Sequence, residues 1–189
     1  MEDKEEIKKQ LRKKKKKLVD YKWIIEITLL AFIISLGFSF LSETTIPKVP
    51  LVVGIILLFI VILIGILFDV VGVAVQAADE APFHSMNARK VKGASVAVKF
   101  KKNAEKVSSF CNDVIGDICG VISGTAGSII ALAIATQTGL NSFLAVLVVT
   151  ACISALTIGG KAIGKGIAIN KSNDILYRFS RIISVFYRK

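Results

Sequence analysis

LVVGIILLFIVILIGILFDVVGVAVQAADEAP, residues 51–82, decides what kind of molecule this is. Up to Gln76 the run is apolar apart from Asp69. A helix needs only about 20 such residues to cross roughly 30 Å of hydrocarbon. A helix that is apolar on every side belongs in a bilayer or a deep core, not on the surface of a soluble domain. Two adjacent carboxylates, Asp79 and Glu80, and then Pro82 close the run. The pattern predicts that the carboxylates leave the membrane here and that Pro82 disrupts the helix just past them.

Working outward, Trp23–Leu41 and Ser142–Ile163 are apolar enough to span. Residues 118–136 are so in a form diluted by Gly, Ser and Thr. The whole chain is 53% hydrophobic yet carries a formal charge of +11, the balance of a membrane protein with basic aqueous segments. The expected fold is all-α: a polytopic membrane protein of four transmembrane helices plus cytoplasmic interfacial helices. Its parts are a basic segment at 1–22, a first span at 23–41, and a unit at 51–189. That unit has spans near 51–78, 113–137 and 142–163, and interfacial helices near 87–110, broken around Gly93 and Asn103, and 173–187.

Lys and Arg give the orientation. Ten of the 25 precede Trp23, seven lie between Arg89 and Lys106, seven run from Lys161 to the end, and Lys48 stands alone in the loop 42–50. Positive loops stay cytoplasmic, so both termini are expected there, in a plasma or inner membrane. The first span follows a long charged stretch and lacks a small-residue cleavage pattern, so it reads as a retained anchor. The block Arg12–Lys17 has no interleaved aromatics for stacking on bases, so nucleic acid is not expected as a partner. Anionic lipid at the cytoplasmic face is. In the C-terminal segment, Ile175, Phe179, Ile182 and Phe186 are expected to form the apolar face of a membrane-surface helix.

Ionisable groups inside a bilayer cost about a few kcal/mol each, so they mark either function or a paired network. Asp69, Gln76 and Glu80 fall on one helical line. Asp113, Asp117, Gly120 and Gly124 form a second, with Gly116 and Gly127 beside it, and Thr150, Ser154, Thr157 and Lys161 form a third. Three polar faces are expected to meet. The doubled small-residue motif Gly116, Gly120, Gly124 serves packing within the chain or homodimerisation equally well. A cluster of oxygen donors without a His or thiol pair suits a hard cation such as Mg²⁺. The alternative is that Lys161 neutralises Asp79, Glu80 or Asp117 and no ion is needed. His84, the single histidine, reads as an interfacial residue, and Cys111, Cys119 and Cys152 as free thiols with no CxxC pair. No HExxH, Ser/His or Cys/His pairing and no phosphate-cradling loop is present, so an enzyme is not expected.

From about Leu51 onward the order of elements resembles the transmembrane domain of the CNNM/CorB magnesium transport proteins. The family's Ser-Glu motif is similar to Asp79-Glu80-Ala81-Pro82-Phe83 leading to Met86-Asn87, and its Gly-Asn motif to Cys111-Asn112, followed by Asp113. The resemblance implies Asp79, Glu80, Asn112 and Asp113 as ligands of a dehydrated Mg²⁺, with Asp69 and Asp117 extending the acidic path, in a homodimer. The third motif departs: where the family has Gly-Glu-x-x-Pro-Lys, this chain has Gly160-Lys161-Ala162-Ile163-Gly164-Lys165. A charged Lys offers no lone pair to a metal. The extra first span and the lack of the family's nucleotide-binding CBS pair are further departures. Two functions are therefore carried forward: a divalent-cation binder or transporter, and a non-transporting scaffold or regulator with Lys161 in place of the ion.

Overall fold

A computed structural model of the chain describes residues 21–186, the side chain of Phe186 excepted. The basic segment 1–22, but for its last two residues, lies outside that range, as does Tyr187. The described residues are predominantly helical, with no strand among them, and four of the helical stretches are long and apolar enough to cross a membrane. The protein is an all-α, membrane-embedded polytopic chain.

Helix α1 covers Tyr21–Thr45, followed by a 3₁₀ turn at Ile46–Lys48. Helix α2 is Leu51–Ala77, α3 Glu80–Ala88 and α4 Ala94–Lys102. Helix α5, Ala104–Ser109, runs through a π-helical segment, Phe110–Gly116, into α6, Asp117–Thr138. Helix α7 is Ser142–Asn170, and α8 is Ser172–Phe186. The third span is thus 35 residues of continuous helical chain, Ala104–Thr138. At 1.5 Å per residue it is about 52 Å long, more than the hydrocarbon needs, so its first turns project beyond the bilayer. Lys106 marks that level: its ammonium stands 5.6 Å from the centroid of the Trp23 ring, an aromatic–cation pair typical of the membrane–water boundary.

The expected basic interfacial helix at 87–110 is divided three ways. Its start ends α3, its middle is α4, and its end from Ala104 opens the third span. The chain turns at Gly93, where φ is +88°, and at Asn103. Arg181's backbone on α8 would lie only 2.9 Å from a Cβ at Gly93, so this glycine permits both the turn and the crossing of α8.

Pro82 differs from its expected role. It does not stop a helix; it sits in the first turn of α3, where no N–H is required of it. The break lies earlier, at Ala78 and Asp79, both extended with ψ of 148° and 144°. Ala78 is four residues before Pro82. A continuous helix would set the proline ring against Ala78's carbonyl and leave that carbonyl without its donor, so the chain bends there.

Helix α2 is the hub. Its buried positions Gly54, Leu58, Ile62, Gly65, Asp69, Gly72 and Val75 recur every three or four residues and trace one face. Leu58 and Ile62 pack with Ala126 and Ile130 of α6. Val75 and Ala78 pack with Phe83, Ala97, Val98 and Leu176, so α3, α4 and α8 fold back onto the end of α2. Helix α1 lies on the outside, with Ile27, Ala31 and Ile34 against Val114, Ile118 and Ile122. The apolar face of α4 is therefore covered by protein rather than turned to lipid. In α8, Leu176 and Ser180 are fully buried and Phe179 sits against Phe68 and Phe100, while Ile182 is 62% exposed.

Candidate functional site: a buried carboxylate between two lysines

Asp69 lies two thirds of the way along α2 and is 3% exposed. Glycines on both sides of it decide what can come close. On the α7 side, Gly160 and Gly164 bring that helix against Ile66 and Val70 of α2. This contact places two lysines, one turn apart, over the carboxylate. Lys161 Nζ is 3.9 Å from Oδ1 and Lys165 Nζ is 3.9 Å from Oδ2. The lysines are unequal, Lys161 being 22% and Lys165 53% exposed in their side chains. Both distances exceed hydrogen-bonding range, so these are through-space ion pairs.

On the other side, Gly65 and Gly72 let the third span approach. A Cβ at Gly65 would meet that of Cys119 at 2.9 Å. One at Gly72 would fall on the side-chain amide of Asn112. Asn112 Nδ2 donates to Ser108 Oγ at 3.3 Å, and its Oδ1 is buried without a donor, as is Oδ2 of Asp69. Gly116 leaves room for the ammonium of Lys161, which would be 3.4 Å from a Cβ there. The π-helical segment sets this arrangement. A π turn holds one residue more than an α turn, so it shifts the helical phase by about 100° relative to a continuous α-helix. Asn112 and Gly116 face the bundle while Asp113 and Asp117 are exposed.

The expected site residues thus occupy several places. Asp79, exposed, precedes α3, and its backbone N–H donates to Asn173 Oδ1 at 2.9 Å, tying the bend to α8. Glu80 pairs with His84 Nε2 at 2.9 Å, one turn on in α3. That hydrogen bond lowers the Glu80 pKa. Residual burial opposes the shift, and the charges of His84, Lys102 and Lys101 add to it. Asn112 packs against Gly72, seven residues before Asp79 in the chain. Among the described residues no three His, Cys, Asp or Glu side chains are grouped to hold a metal ion. Asp79, Glu80 and Asp113 are accordingly not among any such group. Lys161 pairs with Asp69, not with Asp79, Glu80 or Asp117.

The glycine stripe also divides. Gly116 faces Lys161 and Gly127 receives the side chain of Ile153, whereas Gly120 and Gly124 have nothing within 4 Å of a Cβ. Two contributors had no assigned role in the sequence reading. Lys165 is one turn beyond Lys161 and shares its face, a spacing that points to it. Lys101 donates to the carbonyls of Gln76 and Val75, at 2.8 and 3.4 Å, and so caps the negative end of α2. No local pattern links Lys101 to Gln76, which lie 25 residues apart.

No protein-family model, curated protein or solved structure matches the chain.

Proposed function

We propose that the chain is a non-transporting membrane module, a scaffold or regulator, whose central charge position is filled by its own lysines. The supporting observation is the 3.9 Å approach of Lys161 and Lys165 to the buried Asp69. A buried carboxylate is costly unless paired, and here the pair joins α2 to α7. Paired in this way, Asp69 has no charge left over to bind a divalent ion. The same reading takes both termini as cytoplasmic, in a plasma or inner membrane, with a second copy and anionic lipid as partners. It assigns no catalysis.

The test is a Mg²⁺ titration of the purified full-length chain, read as thermal stability in detergent and as flux in liposomes. No saturable shift and no flux are expected for the native chain, and a Mg²⁺-dependent shift for Lys161→Glu. A saturable shift in the native chain that vanishes in Glu80→Gln would overturn the proposal.

A second reading rests on two buried oxygens with no hydrogen-bond donor, Oδ2 of Asp69 and Oδ1 of Asn112. They belong to positions three residues apart on the α2 face, Asp69 itself and Gly72, over which Asn112 lies. If the lysines withdrew, these oxygens would serve a cation such as Mg²⁺, with Asp79, Glu80 and Asp113 along its route. Flux in the native chain that is lost in Asp69→Asn identifies this reading.

A further inference from the structure

The charges around Asp69 do not balance. Two ammonium groups, those of Lys161 and Lys165, each stand 3.9 Å from an oxygen of this one carboxylate. Among the described residues no other Asp or Glu lies within 4.0 Å of either lysine, Asp113 and Asp117 on the neighbouring span included. One positive charge is left over.

The surplus is open to the outside. Asp69, 3% exposed, closes the inner side, whereas the side chains of Lys161 and Lys165 are 22% and 53% exposed. At 3.9 Å neither ammonium donates a hydrogen bond to Asp69, so both keep N–H groups for an acceptor on the outer side. Gly166, next to Lys165, carries no side chain, and a Cβ there would have nothing within 4 Å.

The level is that of a lipid headgroup. Counted from Ser142, the first residue of α7, Lys161 and Lys165 lie about 28 and 34 Å along the axis. Counted from Leu51, Asp69 lies about 27 Å along α2. Hydrocarbon is roughly 30 Å thick, so all three groups stand at its edge, where the phosphodiester layer begins.

We infer that Lys161 and Lys165 together bind the phosphodiester of a lipid whose headgroup is otherwise uncharged, the phosphatidylglycerol type. Charge selects it: one phosphodiester neutralises the surplus, whereas the cationic group of a zwitterionic headgroup restores it. A lone lysine at a membrane surface attracts anionic lipid diffusely. Here Asp69 holds two ammonium groups one turn apart, so a single headgroup receives two charge-assisted hydrogen bonds. The fixed pair, not the apolar surface of α7, separates this lipid from its neighbours. The inference rests on the reading that the lysines fill the charge position, since an ion on Asp69 would turn them away.

The full-length chain in a neutral detergent, titrated with dioctanoyl phosphatidylglycerol and followed by thermal unfolding, tests this. A saturable rise in Tm is expected, with one lipid retained per chain in native mass spectrometry. Dioctanoyl phosphatidylcholine should give no saturable rise. Lys165→Met should weaken the apparent affinity about tenfold, as the loss of one charged hydrogen bond does, and Lys165→Arg should restore it. Lys171→Met, at an exposed lysine just past the end of α7, should leave it unchanged. Equal shifts with the two lipids, or equal weakening by Lys165→Met and Lys171→Met, overturns the site. Inorganic phosphate that saturates the shift at the same concentration as the lipid overturns the lipid assignment in favour of a free anion. No lipid shift in a chain that also ignores Mg²⁺ overturns this inference alone, whereas a saturable Mg²⁺ shift of the kind described above overturns the reading beneath it.

Discussion

The side-chain amide of Asn112 occupies the space above Gly72 where any other residue would carry its Cβ. Two helices meet at that point, and the contact depends on the absence of a side chain on one of them. The π-helical segment brings Asn112 there, and Asp69 lies one turn away on the same face of α2.

Gly72→Ala is therefore expected to destabilise the bundle by about 1–3 kcal/mol, the usual cost of overpacking. The added methyl would collide with the amide of Asn112. Thermal unfolding in detergent measures the loss, and Asn112→Ala in the same chain should recover most of it. A Gly72→Ala protein as stable as the native one would show that the contact yields freely.

Removing the carboxylate should cost more than removing either lysine. Asp69→Asn leaves two ammonium groups facing a partly buried site, a change expected to cost about 3–5 kcal/mol. Lys165→Met, at a lysine 53% exposed, should cost under about 1 kcal/mol. The less exposed Lys161 should fall between them. Equal losses for Asp69→Asn and Lys165→Met would contradict this ordering.

Glu80 gives a prediction in pH. Its pKa is lowered below the ordinary 4.5, first by the hydrogen bond to His84, so its contribution to the folded state is complete above 4.5. That contribution is lost as pH falls through the lower value of the folded chain. An NMR titration of the Glu80 side chain should show a midpoint under 4.5. His84→Ala should move it up towards the ordinary value, and an unchanged midpoint would count against the pair.

Glycines in different surroundings should respond differently. Gly120→Ala and Gly124→Ala meet open space, so the protomer's stability should stay within about 0.5 kcal/mol of native. Gly93→Ala must hold a φ of +88° against the backbone of Arg181. Its expected effect is to loosen α8, read as faster hydrogen exchange across Ser172–Phe186. Unchanged protection there would show that α8 docks without Gly93.

The four spans were legible because crossing a bilayer is a local demand: a helix must be apolar over its own length, whatever it packs against. The bends at Gly93 and Asn103 were legible for the same reason. The break before α3 was legible in kind and misplaced by a few residues, because a proline acts on the carbonyl four residues before it. Pairing was another matter. Asp69, Lys161, Asn112 and the glycines could all be picked out as exceptions in apolar helices, but which of them meet depends on the angular phase of each helix. A uniformly apolar α2 carries almost no phase signal beyond its glycines and Asp69. The π-helical segment then shifts the phase of the third span by a residue, so Asp113, Asp117 and Gly120 are exposed while Asn112, Gly116 and Gly127 turn in. The sequence by itself determined a four-span helical membrane protein with charged groups inside it. Only the tertiary structure decided that Lys161 and Lys165 reach Asp69 rather than Asp79 or Glu80, because close packing at Gly72, Gly160 and Gly164 sets where the helices cross.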